Sequence, residues 1–326
     1  MQKKYIPALG LFCCAMAVFA SGSAAAAGAY PTHEIRMVTA FGAGSASDIV
    51  ARLIAERLEA VFKQPVIVDN KPGASGQIAS DYVSRAAPDG YTIMLATNTT
   101  HSANPYLFKS LRYDPIKDFT PLAQVCNFPF VLAVSGKLPV SSAKELIAYA
   151  RSNKSKLSYA YGNSTGQISA AAFDKAAGLE AIAVPYRSSP QAMTDVVGGR
   201  ASFMFADLAS AAGHIQSGNL KVLAVTTKAR TALAPDLPTI AEITGQPDFD
   251  LAAWVGIFGP AGIPQPIVDR LSTEIVNIVS AQDFRDRLTR MGAEPTPAPA
   301  SEFGPFVVKQ LTVWGEKVKQ AGIEPQ

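Results

Sequence analysis

Short β-branched or apolar runs alternate with helical patterns along most of the chain, and this alternation limits the possible folds more than any other feature. Residues 34–40 predict a strand, the glycine- and serine-rich residues 42–47 a tight loop, and the apolar spacing in residues 49–62 a helix. A strand, a helix and another strand are then predicted at residues 65–68, 77–85 and 91–96. The order βαβαβ predicts an α/β fold with a parallel sheet and helices on both faces.

The alternation continues further along the chain. Strands are predicted at residues 131–134, 156–161, 183–186, 201–205, 222–226 and 254–258, and helices at residues 267–279, 284–291 and 303–318. The Pro/Ala-rich residues 295–300 are interpreted as a turn between helices.

A chain that begins one α/β unit, builds a second and then returns to the first must cross between them twice. We predict crossings at residues 125–129 and 250–253. These place residues 28–125 and 252–326 in lobe 1 and residues 126–251 in lobe 2. Two crossings make a hinge, with a cleft between the lobes.

The first 27 residues have the pattern of a secretory signal peptide. Lys3 and Lys4 precede an apolar stretch at residues 6–20, and residues 24–27 offer an A-x-A cleavage site. The apolar stretch is shorter than the ~20 residues that span a bilayer, which argues against a membrane anchor. We therefore predict cleavage after Ala27 and a soluble protein of the periplasm.

Charge and cysteine content exclude several functions. The chain has 29 Lys and Arg against 26 Asp and Glu, without a basic run that could follow a phosphate backbone, so no nucleic-acid partner is expected. Three His and three Cys without C-x-x-C or H-E-x-x-H spacing predict no metal site and no cofactor. Cys13 and Cys14 leave with the signal peptide, so Cys126 remains without a partner for an internal disulfide.

Four loops at predicted strand ends are rich in Gly, Ser, Thr and Asn: residues 44–48, 98–101, 162–166 and 187–190. Each precedes a helix whose first amides have no intrahelical partner, so each offers donors and a positive dipole end to an anion. Ligands of open parallel sheets bind at the carboxyl ends of the strands. An ordinary helix cap uses the same residue types, so one such loop alone does not indicate a binding site. The prediction of an anion site rests on four such loops occurring together.

Residues 162–166, G-N-S-T-G, also match the G-x-S-x-G pattern of a hydrolase nucleophile. The order serine, acid, histidine could be met by Ser164, Asp207 and His214. Asp207 and His214 are only seven residues apart, and no H-G-G-G motif precedes Ser164, which argues against such a triad. A secreted serine hydrolase of the α/β type stays the alternative to a non-catalytic binding protein.

Several segments in order carry a family resemblance. Residues 40–52, A-F-G-A-G-S-A-S-D-I-V-A-R, are similar to P-F-x-P-G-G-x-x-D-x-x-A-R, and residues 68–76, V-D-N-K-P-G-A-S-G, to V-x-N-[KR]-P-G-A-x-G. Residues 87–92, A-P-D-G-Y-T, are similar to A-x-P-D-G-Y-T, and further matches lie at residues 184–186, 195–199, 235–242 and 259–264. Together they resemble the Bug-type receptors, the substrate-binding proteins of tripartite tricarboxylate transporters.

The resemblance implies a type II periplasmic binding protein fold, in which two α/β lobes joined by two crossovers close on a ligand like a Venus flytrap. It implies a non-catalytic receptor that captures a carboxylate and delivers it to the permease subunits of its transporter; we expect a monomer. Carried over by position, the ligand-binding residues are Phe41, Gly44, Ser45, Ala46, Ser47 and Asp48; Thr99, Thr100 and His101; Asn163, Ser164, Thr165 and Gln167; Tyr186, Arg187 and Ser188; and Asp207.

Aromatic residues near these loops and crossings lead to a hypothesis about the ligand. They are Phe41, Phe128, Phe130, Tyr161 and Tyr186. Arg187 stands where the family usually has Lys, and its planar guanidinium can pair with a carboxylate and stack on a ring. An aromatic acid with two distant carboxylates would place one at residues 44–48 and the other at Arg187 or His101. The alternative is that these aromatic residues are core residues.

Overall fold

The computed structural model describes residues 1–2, 30–152 and 157–326. The predicted signal peptide, residues 1–27, lies outside the described residues apart from its first two. By their contacts, Met1–Tyr30 and Pro31–Gln326 are separate units, and every element below belongs to the second. Within the described residues, no helix combines the length and the apolar character needed to cross a membrane.

Strands and helices alternate as the sequence predicts. In chain order they are β1 Ile35–Thr39, α1 Ala46–Phe62, β2 Val66–Asn70, α2 Gln77–Ser84, β3 Thr92–Thr97, α3 Asn104–Leu107, β4 Phe119–Ser135, α4 Ala143–Ser152, β5 Ser158–Tyr161, α5 Ser164–Ala177, β6 Ile182–Pro185, α6 Ser189–Val197, β7 Phe203–Asp207, α7 Leu208–Gln216, β8 Leu220–Val225, α8 Ile240–Thr244, β9 Ala252–Pro260, α9 Gln265–Ser280, α10 Gln282–Arg290, β10 Glu294–Pro299 and α11 Ala300–Ala321.

The first group of strands is parallel at one end and antiparallel at the other. β1 lies between β2 and β3 and runs parallel to both, with Ile35 opposite Val66 and Arg36 opposite Thr92. β3 pairs with β9 in the antiparallel direction, and β9 pairs with β4 in the same way. The expected parallel sheet is therefore a mixed one, because β9 returns from a distant part of the chain.

The long strand β4 belongs to two groups of strands. Its residues 119–129 pair with β9, whereas residues 130–134 pair with β7. The second part also pairs with β8, while β5 runs parallel to both β6 and β7. The predicted crossing at residues 125–129 is thus continuous strand. The lobe boundaries given above stay a prediction.

The buried residue Thr226 links the two connections between these groups. Its N–H donates to the Phe130 carbonyl at 2.9 Å, and its hydroxyl accepts from the Phe130 N–H at 3.2 Å. Its carbonyl accepts from the Leu251 N–H at 3.0 Å. Phe130 lies in β4 and Leu251 directly precedes β9, so Thr226 holds both connections at one point.

The proline-rich residues 295–300 were expected to form a turn, and this prediction is wrong. Glu294–Pro299 form β10, which pairs antiparallel with β4 and places Glu294 opposite Asn127. Proline cannot donate to a strand ladder, but it is tolerated in an edge strand or at an irregularity. β10 pairs with β4 alone among the described strands, and its register shifts between Pro295 and Ala298.

The core of the first group is built on aromatic rings from β9 and α11. Trp254, Phe258 and Phe303 are buried. The Phe303 ring centroid lies 4.9 Å from that of Phe258 and 5.7 Å from that of Trp254. Gly256 lies between Trp254 and Phe258 on β9, and a Cβ at Gly256 would come within 2.0 Å of the Phe303 ring. Close approach of the backbone to this ring therefore requires glycine.

We expect Gly256→Ala to lower the free energy of unfolding by about 1–3 kcal/mol, because the added methyl group overpacks the core. Gly213→Ala is the matched control: Gly213 lies in α7, and a Cβ there meets nothing within 4 Å. Alanine inside a helix is preferred by up to about 1 kcal/mol, so this variant should match or exceed the wild type. Urea denaturation measures both. Equal stability of the two variants would contradict the packing described.

Candidate ligand-binding site

A cavity lies where strands of both groups end and helices begin. Its wall consists of Phe41, Ser45, Ala46, Ser47, Thr97, Asn98, Thr99, Phe128, Phe130, Asn163, Thr165, Ser189, Asp207, Ala253 and Val255. The space enclosed by this wall is only about 30 Å³. A small organic acid would therefore enter only after the walls separate.

Four helices begin at this wall. The residues that precede α1, α5, α6 and α7 are Ser45, Asn163, Ser188 and Asp207. The first amides of a helix lack intrahelical acceptors, and the helix dipole adds positive potential at the same end. Among the described residues, no Lys, Arg or His lines the cavity. The wall is therefore suited to an anion through amides and hydroxyls alone.

The first loop owes its shape to Asp48. Its carboxylate accepts from the Gly44 N–H at 3.0 Å and from the Asn70 amide at 2.9 Å, and Arg52 lies 2.9 Å away. Burial raises the pKa of Asp48, but the bonds from Arg52, Asn70 and Gly44 outweigh burial and lower the pKa below its ordinary value. Asn70 also donates to the Phe41 carbonyl at 3.0 Å. Asp48 thus fixes the loop from behind and is not part of the cavity wall.

The second loop contacts the third one directly. Asn98 Nδ2 donates to Thr165 Oγ1 at 2.8 Å, and the Ser164 hydroxyl donates to Thr99 Oγ1 at 2.8 Å. All four residues are buried. Asn98 and Thr99 follow β3 in the first group of strands, whereas Ser164 and Thr165 begin α5 in the second. These bonds hold the two sides of the cavity together.

His101 lies away from the cavity. Its side chain is fully buried, and its ring stacks on Phe258 with 4.1 Å between centroids. Nδ1 is 2.9 Å from Thr100 Oγ1, which donates to the Thr97 carbonyl. Burial lowers the pKa of His101 to about 3, so the imidazole is neutral near pH 7. In this arrangement neither His101 nor Thr100 can reach a ligand, because both side chains pack inside the protein.

Tyr186 and Arg187 also lie outside the cavity wall. The Tyr186 hydroxyl donates to Asp195 Oδ2 at 2.6 Å, and Arg200 pairs with the same carboxylate. The Arg187 side chain is exposed. A role of these two residues in ligand binding therefore stays a prediction.

In the fourth loop, Ser189 lines the cavity in place of the predicted Ser188. Ser189 Oγ accepts from Asn163 Nδ2 at 2.9 Å. Ser188 is buried against the neighbouring loops: a Cβ on Gly162 would come within 2.1 Å of its carbonyl carbon, and one on Gly42 within 3.3 Å of its Oγ. Ser188 is therefore packed against Gly42 and Gly162, and Ser189 lines the cavity.

The structure brings together eight of the predicted residues at the cavity: Phe41, Ser45, Ala46, Ser47, Thr99, Asn163, Thr165 and Asp207. The other nine lie behind or beside the wall: Gly44, Asp48, Thr100, His101, Ser164, Gln167, Tyr186, Arg187 and Ser188. The wall also contains residues that are not in the set carried over from the family: Thr97, Asn98, Phe128, Phe130, Ser189, Ala253 and Val255. Asn98 and Ser189 belong to the predicted loops 98–101 and 187–190, and Phe128 and Phe130 were named in the aromatic hypothesis. Thr97 directly precedes the second polar loop, a signal that could have located it.

The alternative serine hydrolase triad is not formed among the described residues. Ser164 donates to Thr99, and Asp207 Oδ1 accepts from the Ser210 N–H and hydroxyl, both at 2.8 Å. Neither Ser164 nor Asp207 has a hydrogen bond to the His214 side chain in the described part of the chain. Ser164 thus lacks the adjacent base that would activate a nucleophile.

Comparison with known proteins identifies the family of the chain. The model of the family described as tripartite tricarboxylate transporter family receptor matches residues 50–323. The chain belongs to this receptor family. The resemblance read from the sequence is therefore confirmed, and with it the two-lobed α/β fold of periplasmic solute-binding proteins.

Three solved structures are similar over nearly all of their own length. R. palustris Rpa4515 with adipate is 34% identical and covers 91% of this chain and 100% of its own, with a TM-score of 0.88. The periplasmic binding protein BugD is 32% identical, with coverages of 91% and 100% and a TM-score of 0.86. MatC from Rhodopseudomonas palustris with bound malate is 30% identical, with coverages of 89% and 100% and a TM-score of 0.82.

We expect Asp48→Asn to lower the free energy of unfolding by about 1–3 kcal/mol at pH 7, because the hydrogen bonds of a buried carboxylate are weakened. The folded-state pKa of Asp48 lies below its unfolded value. Its stabilisation is therefore present above about pH 4 and is lost as the pH falls through the folded-state pKa.

Urea denaturation at pH 7 and at pH 3 measures this dependence, and the deficit of Asp48→Asn should shrink at pH 3. The exposed Glu34 provides the control Glu34→Gln, which should match the wild type at pH 7. A deficit of Asp48→Asn that stays constant with pH would contradict the ionised state of Asp48.

Proposed function

We propose that this chain is a periplasmic receptor that captures a small carboxylate in the cavity and delivers it to the permease subunits of a tripartite tricarboxylate-type transporter. The observation that carries the proposal is the meeting of four helix N-termini at one cavity whose described wall holds no cationic side chain. Amides and hydroxyls in that arrangement favour a carboxylate without immobilising it through an ion pair. The receptor acts as a monomer, without a cofactor and without catalysis.

Family membership and two of the similar structures support this ligand class. Rpa4515 holds adipate and MatC holds malate, and both compounds carry two carboxylates. The export proposal rests on the signal-peptide pattern of residues 1–27 and on the similarity to the periplasmic protein BugD. Removal of that segment would free the receptor into the periplasm.

We further propose that the ligand is an aromatic dicarboxylate. Phe41, Phe128 and Phe130 line the cavity and are buried, which places three aromatic residues beside the space that a ligand would occupy. Tyr161 is not part of this wall, and the Tyr186 hydroxyl is engaged by Asp195. The stacking surface for an aromatic acid is therefore smaller than the sequence predicts, but it is concentrated on one cavity.

Titration calorimetry of the mature chain with adipate, malate and benzene-1,4-dicarboxylate tests both proposals. The aromatic diacid should bind most tightly because the three phenylalanine rings can stack on it. At 100 times its Kd, a ligand should add about 2.7 kcal/mol to the free energy of unfolding. Tighter binding of an aliphatic acid would contradict the aromatic proposal alone, and no binding by any acid would contradict the carboxylate receptor.

We expect Ala46→Trp to abolish or strongly weaken binding of these acids. Ala46 is the first residue of α1 and lines the cavity, so an indole there covers the amides at the helix start. Ala60→Trp is the matched control, because Ala60 lies exposed near the other end of the same helix. Calorimetry should show wild-type affinity for the control, and normal binding by Ala46→Trp would refute the placement of the site.

A further inference from the structure

Asp207 is the one titratable side chain in the described wall of the cavity apart from the hydroxyl groups. It precedes α7, and its side chain is buried, with 4% of the residue exposed. The Ser210 N–H and hydroxyl each donate to Oδ1 of its carboxylate at 2.8 Å, and the backbone N–H of Asp207 itself adds a further bond. No described side chain donates to Oδ2.

In the part of the chain that the structure describes, no cation pairs with this carboxylate. Burial raises the pKa of Asp207, the bonds from Ser210 oppose that shift, and the net direction is upward. Ten charged or titratable side chains belong to α7, to the elements packed on β7 and α7, or to the chain beside Leu208. They are Cys126, Tyr159, Tyr161, Asp174, Lys175, Asp195, His214, Lys221, Arg290 and Glu294. None of them contributes to the shift or hydrogen-bonds to Asp207 in the described part of the chain.

The opposite wall supplies no charge for Asp207 either. Asp48 is already paired with Arg52 and lies behind the first loop. His101 is neutral and packed on Phe258. A dicarboxylate in this cavity would bring two further negative charges close to a buried acid, and like charges in a shared site favour protonation of one of them.

We propose that Asp207 takes up one proton from solvent when a dicarboxylate binds, so that the receptor captures the acid together with a proton. The inference rests on the proposed function and adds a regulatory property to the same site. The step forms one O–H bond at Asp207 Oδ2, changes the side chain from −1 to neutral and breaks no bond in the ligand. The new O–H can then donate to a ligand carboxylate, and O–H···O⁻ bonds are among the stronger hydrogen bonds in proteins.

Calorimetry with adipate between pH 6.5 and pH 8.5 tests the proposal, because ordinary carboxyl groups stay ionised in that range. Uptake of one proton strengthens binding up to about tenfold for each unit by which the pH falls. The wild type should therefore bind more tightly at pH 6.5 than at pH 8.5. Its binding enthalpy should also depend on the ionisation heat of the buffer, since phosphate or Tris must supply the proton.

Asp207→Asn keeps the shape of the side chain and removes its charge. This variant should bind adipate with the same affinity at every pH in the range and with no buffer dependence of the enthalpy. Ser210→Ala removes one donor that favours the charged form, so its pH dependence should shift to higher pH. His214→Gln, on the same helix as Ser210, is the control and should keep the wild-type pH dependence.

The outcomes separate the proton coupling from the receptor function. Binding of adipate by the wild type without pH or buffer dependence would overturn the coupling and leave the receptor function intact. The same pH dependence in Asp207→Asn as in the wild type would overturn the assignment to Asp207. Absence of adipate binding at every pH would overturn the coupling, and absence of binding by all three acids would overturn the receptor function as well.

Discussion

Four helices begin around one cavity, and its described wall contains no cationic side chain that could pair with a bound anion. Binding must then depend on where the first amides of these helices point, since dipole and amide effects fall off within the first turn. Much of the surrounding structure serves that requirement. Asp48 and Asn70 fix the loop before α1, and the close approach at Gly162 sets the start of α6. Small errors in these supports would misplace several donors together.

Opening of the cavity depends on the strand β4 and on the contacts between its two sides. The bonds Asn98–Thr165 and Ser164–Thr99 join the sides directly, and a typical hydrogen bond contributes about 0.5–1.5 kcal/mol. A ligand that binds one form better than the other can supply a free-energy difference of this size between the open and closed forms. Thr226 ties the two connections at one point, so the sides can part without separating the strand groups. The proton that we propose Asp207 takes up is a second factor in the equilibrium between the open and closed forms.

Local periodicity was enough to predict the elements that bury one face. The unit β1–loop–α1 was recognised because the strand is apolar and because Leu53 and Leu58 recur at helical spacing. β10 was missed because its prolines exclude an ordinary ladder, and only its place beside β4 explains why the strand exists. The length of β4 was missed for a related reason, since Pro121 and Pro129 interrupt the strand pattern.

Loop composition located the site but did not decide which side chain of each loop faces the cavity. Ser188 and Ser189 are identical in chemistry, and only the folded chain shows that Ser188 packs against Gly42 and Gly162 while Ser189 lines the wall. His101 looks like an anion ligand in the sequence, yet the turn that carries it directs its ring onto Phe258. Ala253 and Val255 carry no polar signal, and they line the cavity because β9 returns to it from far along the chain.

Binding by helix N-termini can be examined in a crystal structure of the mature chain with its tightest-binding dicarboxylate. We expect carboxylate oxygens within about 3 Å of the amides of Ala46 and Ser47 at the start of α1, since that is the range of charge-assisted hydrogen bonds. We also expect that no Lys or Arg side chain contacts the ligand. A carboxylate held by the Arg187 guanidinium, away from the helix N-termini, would contradict binding by these termini.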